Sequence, residues 1–136
     1  MAAHCLQLVD DAFAADQYAR ACKELRRSFL GFAWAREWPV SWRGAMDVDS
    51  GPVIPLLDIS AGSSGMAFLG AAAFDDRAYY RGLAASLMFA GLPVEREGGL
   101  KFCASNQVGD AVLLYSIVLG PLWEEVRKRE AAGRKP

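Results

Sequence analysis

The segment that decides the fold lies between two helix-forming regions, and it reads Trp42-Arg43-Gly44-Ala45-Met46-Asp47-Val48-Asp49-Ser50-Gly51-Pro52-Val53-Ile54. It is too rich in glycine and proline to form a helix. If residues 46–50 are extended, the carboxylates of Asp47 and Asp49 point to the same side. The irregular region as a whole runs from residue 37 to about residue 60. A loop of this length in a compact domain is generally either functional or a sign that its secondary structure has been assigned wrongly. We interpret it as the functional site.

On the N-terminal side of this loop, the spacing of apolar residues predicts an amphipathic helix that begins after Asp16 as N-cap and ends near Arg36. A shorter helix is predicted over about residues 3–13. The face of the longer helix repeats at intervals of four and three residues, with charged residues between, and consists of Tyr18, Cys22, Leu25, Phe29 and Phe32.

On the C-terminal side, Ser60 or Ser63 is expected to cap a helix that runs through residues 66–74. This stretch is apolar on all sides, so we expect it to be buried on every side. Asp75-Asp76 is expected to cap the next helix, which Gly91 ends.

Two elements complete the predicted chain. Residues 94–103 predict a small β-hairpin around Gly98-Gly99. Asn106 begins a last long helix, in which Pro121 removes an amide donor, so we expect a kink or break near Gly120. Residues 132–136 are expected to be a flexible tail. The predicted fold class is all-α: one domain over residues 1–136, in which helical hairpins surround an apolar inner helix.

The composition of the chain limits the classes of function to be considered. The chain has 136 residues, of which 53% are hydrophobic, and its net charge of −1 gives no electrostatic reason to expect nucleic acid as a partner. Three cysteines without CxxC spacing favour buried, reduced thiols in a cytoplasmic protein. Residues 111–123 are apolar but too short to span a bilayer, so no membrane span is predicted. No signal peptide is recognised at the N-terminus.

Three stretches together resemble a known superfamily: Phe29-Leu30-Gly31-Phe32-Ala33-Trp34-Ala35-Arg36-Glu37-Trp38-Pro39, then Asp47-Val48-Asp49-Ser50-Gly51-Pro52-Val53-Ile54, and later Asn106-Gln107-Val108-Gly109-Asp110-Ala111-Val112-Leu113-Leu114. They are similar to a signature of bacterial (α/α)6-toroid proteins, which include six-hairpin glycosidases and linalool dehydratase/isomerase-like domains. The resemblance covers about residues 18–127. A full toroid needs roughly twice as many helices. The chain therefore resembles the C-terminal portion of a toroid, which implies a homo-oligomer or docking on a missing N-terminal half.

The resemblance implies that Asp47 and Asp49 lie in a central cleft, where two carboxylates can divide acid and base roles. The structural alternative is that they cap the loop or pair with Arg36 or Arg43. The further oxygen ligands of a calcium loop are absent, and neither a metal site nor a cofactor is predicted.

Other side chains are candidates for substrate binding. Trp34, Trp38 and Trp42 recur at every fourth residue and form either a sugar-stacking platform or part of the core. Three charged side chains have two alternative roles, which are binding of a hydroxylated or anionic ligand and formation of structural ion pairs: Arg36, Glu37 and Arg43.

Three residues outside the loop complete the set of candidates. Asn106 either faces the cleft or caps its helix. His4 is expected near a mobile end, which disfavours a histidine-dependent triad, and Cys103 is expected to be a buried thiol.

These observations leave two functional hypotheses. In the first, the chain is a portion of a carbohydrate-active or related enzyme that takes a small sugar or polyol, with the two aspartates as site carboxylates. In the second, it is a non-catalytic helical domain whose apolar faces mediate assembly or binding. Whether the chain is an enzyme stays open at this stage.

Overall fold

The computed structural model describes residues 3–44, 47 and 53–133 of the chain. Within these ranges the fold is mixed α/β, so the all-α prediction, with its helical hairpins arranged as part of a toroid, is wrong. The elements in chain order are α1 Ala3–Leu6, α2 Asp11–Leu25, β1 Arg26–Phe29, β2 Phe32–Ala35, β3 Val53–Ile54, β4 Ile59–Ser60, α3 Ala61–Ala73, α4 Arg77–Ala90, β5 Pro93–Arg96, β6 Gly99–Phe102 and α5 Gln107–Gly133.

The helix predicted to reach Arg36 ends instead at residue 25, and the chain continues as the hairpin β1–β2. Leu30 and Gly31 form its two-residue turn with φ values of 48° and 85°, the backbone that a type I′ hairpin turn requires. Phe29 and Phe32, which the helical pattern placed on one face, are directly opposite each other across the strands. A spacing of three residues is common to a helix face and to the ends of a two-residue hairpin, and this explains the error.

The four short strands near the N-terminal half form one antiparallel sheet in the order β1-β2-β4-β3. Strands β3 and β4 lie inside the region predicted to be irregular, where Val53 pairs with Ser60 and Ile54 with Ile59. The sheet therefore shortens the long loop from its C-terminal end.

Helix α3 is central, as predicted from its apolar composition, because α1, α4, α5 and β2 all pack against it. None of residues 62–74 is exposed. On one side of α3 a buried cluster joins it to β2 and α4 through Ala33, Phe68, Ala71, Tyr79 and Leu83. On the other side, Leu69 and Ala73 of α3 pack against Leu119 of α5.

Two serines from the helices hold the backbone of β2. The Ser86 hydroxyl donates to the carbonyl of Ala33 at 2.7 Å and accepts from its amide at 3.0 Å. The Ser64 hydroxyl makes the same pair of contacts with Ala35, at 2.9 Å from its amide and 3.4 Å from its carbonyl. Buried backbone groups must find partners, and hydroxyls on α3 and α4 supply them here.

Several predicted caps are confirmed. Ser60 accepts a hydrogen bond from the amide of Ser63 at the start of α3, and Asp76 accepts one from the amide of Tyr79 at the start of α4. Gly91 is the C-cap of α4.

The remaining predictions are confirmed in part. The predicted small hairpin forms as β5–β6, with Glu97 and Gly98 at positive φ in its turn. Helix α5 continues without interruption to Gly133, so the break expected near Gly120 is absent. Of the predicted tail, residues 134–136 lie outside the described part of the chain.

Candidate functional site

Two of the three tryptophans predicted as a platform lie together just after β2. The rings of Trp38 and Trp42 stack with centroids 5.1 Å apart and planes 21° apart, and Trp42 remains 46% exposed. The backbone makes this possible because a turn closes with a 3.0 Å hydrogen bond from the Trp42 amide to the Pro39 carbonyl. Gly44 allows a close approach, since a Cβ there would lie 2.5 Å from the Trp42 ring. The indole N–H of Trp34 donates instead to the carbonyl of Leu57 at 3.1 Å.

The two arginines predicted to bind ligand are held by their own chain. The guanidinium of Arg36 forms an ion pair with the carboxylate of Asp58. Arg43 folds back on its turn, where Nη1 donates to the carbonyls of Val40 and Trp42 at 2.8 and 2.9 Å. Arg36 therefore ties the end of β2 to the turn before β4, and Arg43 stabilises the turn that carries the tryptophan pair.

Of the two predicted catalytic carboxylates, the structure describes Asp47. Asp47 is exposed to solvent. Asp49 lies outside the described residues, as do residues 45–46, 48 and 50–52. Their catalytic pairing stays a prediction.

Glu37, which was predicted to bind a ligand or form an ion pair, contacts two serines at the start of α3. Its Oε2 atom accepts from the Ser60 hydroxyl at 2.5 Å and from the Ser63 hydroxyl at 3.0 Å. Ser60 is fully buried at the N-terminus of α3, where a negative charge interacts favourably with the helix dipole. The carboxylate therefore ties the end of β2 to the central helix. Glu24 acts similarly on the tryptophan turn, because its Oε2 atom accepts from the amide of Ser41 at 2.9 Å. The hydrogen bonds from Ser41 also lower the pKa of the Glu24 carboxyl group.

The side chain of Asn106 caps the N-terminus of α5. Its Oδ1 accepts from the amide of Gly109 at 2.9 Å, which satisfies one of the free N–H groups at the start of α5. This contact matches the structural alternative considered for Asn106.

A polar network joining α2, β1 and α4 was missed from the sequence. The Tyr18 hydroxyl and the Arg26 guanidinium both donate to Oδ2 of Asp76, at 3.1 and 2.8 Å. The Arg26 guanidinium also lies 4.5 Å from the centroid of the Tyr79 ring. Burial is the main cause that raises the pKa of Tyr18, Cys22 and Tyr79. A thiol with a raised pKa carries little thiolate at neutral pH, so Cys22 is poorly suited to act as a nucleophile.

His4 is not at a free end, contrary to the prediction. Its side chain is 7% exposed, and its ring packs edge-on against Tyr115 of α5 at 6.4 Å. The cysteines also differ from the expectation of buried thiols: all three are free, Cys5 and Cys103 are exposed, and Cys22 is half-buried. Within the described ranges, no three histidine, cysteine or acidic side chains are grouped so that they could hold a metal ion.

The first half of α5 exposes an apolar face. Its side chains are exposed to solvent to different degrees, from 40% for Tyr115 to 71% for Val108. The large hydrophobic residues of this face are Val108, Leu114, Tyr115, Ile117 and Val118, with Ala111 between them.

Comparisons of the chain with protein-family models, with curated proteins and with solved structures found no match. Among the helices that the structure describes, none combines the length and hydropathy needed to cross a bilayer.

Proposed function

We propose that this chain is an assembly module that pairs with a second copy of itself through the exposed face of α5. The observation that carries the proposal is the surface of that helix over residues 108–118. The exposed residues follow one another around about half of the helix circumference at 3.6 residues per turn, and all six are hydrophobic. The opposite side is anchored to the core by Val112, Ser116 and Leu119.

An exposed apolar face of this kind indicates a surface that binds a partner. A helix that is hydrophobic on all sides is normally buried on all sides. Single exposed apolar residues are common on protein surfaces, but contiguous apolar patches mark interaction sites. The face on α5 belongs to the second class, because its members are consecutive neighbours on one helix.

The pattern of the face favours a second copy as the partner. Residues 107–119 include one charged residue, Asp110, which is half-buried. Two identical faces therefore meet without charge repulsion, as a two-fold interface requires. Four residues of the face follow the spacing of three, four and three that is typical of the seam between paired helices: Val108, Ala111, Tyr115 and Val118.

Sedimentation equilibrium with a charge placed in the face tests the proposal. We expect the wild-type chain to form a dimer and Val118→Glu to shift it to a monomer. Met88→Glu on α4 is the matched control, because Met88 is similarly exposed and lies outside the face. Circular dichroism verifies that both variants are folded. A wild-type monomer at all concentrations, or a dimer that Val118→Glu leaves intact, would overturn the proposal.

A second candidate function is binding of a small sugar or polyol at the tryptophan pair. The half-exposed Trp42 ring, stacked on Trp38, supports it, because a flat aromatic surface suits the C–H faces of a sugar ring. Catalytic roles for Asp47 and Asp49 belong to this candidate.

Titration with a panel of sugars and polyols, followed by tryptophan fluorescence, tests this second candidate. We expect Trp42→Ala to abolish binding and Trp34→Phe, outside the stacked pair, to retain it. Asp47→Asn and Asp49→Asn should weaken binding without lowering the melting temperature. Absence of binding across the panel, or binding that survives Trp42→Ala, counts against it.

A further inference from the structure

A second concave feature lies where α3, α4 and α5 meet, apart from the tryptophan turn. The cleft has a volume of about 350 Å³, which lies in the lower part of the range of small-molecule sites. Its apolar surface comes from Ala71 and Ala72 of α3 and from Ile117 of α5. Its polar side chains are Arg77, Tyr80 and Arg81 of α4 and Ser116 of α5.

The two hydroxyl groups of the cleft are positioned by the core. Ser116 is 2% exposed, and its hydroxyl donates to the carbonyl of Leu113 at 2.7 Å. Because a serine carries one hydroxyl proton, the Tyr80 hydroxyl, 3.3 Å away, must donate to Ser116. The Tyr80 ring is held edge-on against Phe68 with centroids 5.1 Å apart. A carboxylate oxygen is a stronger acceptor for this phenolic proton than a neutral hydroxyl is.

The two arginines lie one helical turn apart at the rim of the same cleft. Arg77 pairs with Asp75 at 2.9 Å, but both side chains are more than three-quarters exposed, so this ion pair is weak. Arg81 makes no hydrogen bond or ion pair with any residue in the described ranges. It is therefore the cation available to a ligand.

The charged side chains around the cleft favour a ligand that carries a small negative charge. Asp75, and more weakly Glu124, raise the pKa of Arg77, which places both carboxylates near that guanidinium. Two arginines beside two acidic residues leave little net positive charge for a phosphate or polyphosphate. A single carboxylate fits this balance better.

We infer that the cleft between α3, α4 and α5 binds a small monocarboxylate with a short aliphatic body. Its carboxylate pairs with Arg81 and accepts the proton of Tyr80, and its aliphatic part packs on Ala71, Ala72 and Ile117. The cleft shares Ile117 with the α5 face proposed above for self-association, whereas Arg81 and Tyr80, which bind the carboxylate, belong to α4 and lie outside that face.

Two-dimensional NMR of the ¹⁵N-labelled full chain with sodium butyrate tests this inference. Butyramide, which has a similar shape but no charge, is the ligand control. We expect butyrate to shift the amides of residues 71–72, 80–81 and 116–117 and to bind more tightly than butyramide. Arg81→Gln should weaken butyrate binding about tenfold, the loss typical of one charge-assisted hydrogen bond. Tyr80→Phe should weaken it by less.

The matched protein control is Arg20→Gln, because Arg20 is an exposed arginine on α2 that does not line the cleft. Its butyrate affinity should equal that of the wild type. Equal binding of butyrate and butyramide, shifts confined to other regions, or no saturation at concentrations on the order of 10 mM would overturn the inference. Tighter binding of inorganic phosphate than of butyrate would overturn it as well.

Discussion

At the scale of single residues, the side chain of Asp76 connects α2, β1 and α4. One carboxylate oxygen caps α4 at the amide of Tyr79, and the other accepts from Tyr18 and Arg26. Asp76→Asn keeps the cap but removes the charge that Arg26 faces, so we expect a loss of about 2 kcal/mol in the free energy of unfolding. Asp75→Asn, in an exposed ion pair next to it, should change stability by less than about 0.5 kcal/mol. Urea denaturation measures both, and equal losses would contradict the network.

The tyrosines of the same network predict how stability depends on pH. Burial raises the pKa of Tyr18 and Tyr79 above their ordinary value of 10.0 in the folded chain. Their contribution is therefore fully present below pH 10.0 and is lost as the pH rises above it, because the unfolded chain then releases protons that the folded chain retains. Urea denaturation midpoints should fall above pH 10.0. Tyr18→Phe should make this fall less steep.

At the scale of elements, the hairpin β1–β2 contains an unfavourable turn residue. Leu30 is 80% exposed and has a φ of 48°, a conformation that asparagine adopts more readily than leucine. We expect Leu30→Asn to raise the free energy of unfolding by about 0.5 to 1 kcal/mol, and Gly31→Ala, at a φ of 85°, to lower it by about 1 kcal/mol. Thermal denaturation measures both changes. A neutral or destabilising effect of Leu30→Asn would count against the turn geometry.

The helices were predictable where local signals and burial agree. The apolar composition of α3 and the caps at Ser60, Asp76 and Gly91 fixed three helix ends correctly. The sheet was not predictable from the same signals. Leu30 gives no turn signal before Gly31. Each of β3 and β4 is only two residues long, and the pairing of β4 with β2 joins Ser60 to Ala35, which is distant in the sequence. The polar network was hidden for the same reason, since Tyr18 and Asp76 are 58 residues apart in the sequence.

At the scale of the whole molecule, self-association through α5 predicts that stability depends on protein concentration. A partner that binds only the folded chain shifts unfolding to higher temperature as its concentration rises. The melting temperature of the wild type should therefore increase with protein concentration, and that of Val118→Glu should stay constant. Differential scanning calorimetry over a series of concentrations measures this. A constant melting temperature in the wild type would contradict the pairing of α5.

The hydroxyl contacts of Ser64 and Ser86 with β2 have a consequence for how the chain reaches its native state. These partners lie 29 and 53 residues beyond the backbone groups that they satisfy. An isolated two-stranded ribbon is marginal in water, so a peptide of residues 26–35 alone should not keep its hairpin. Formation of the strand is thus tied to docking of both later helices, and the amides of Ala33 and Ala35 should exchange with solvent deuterium only when those helices detach.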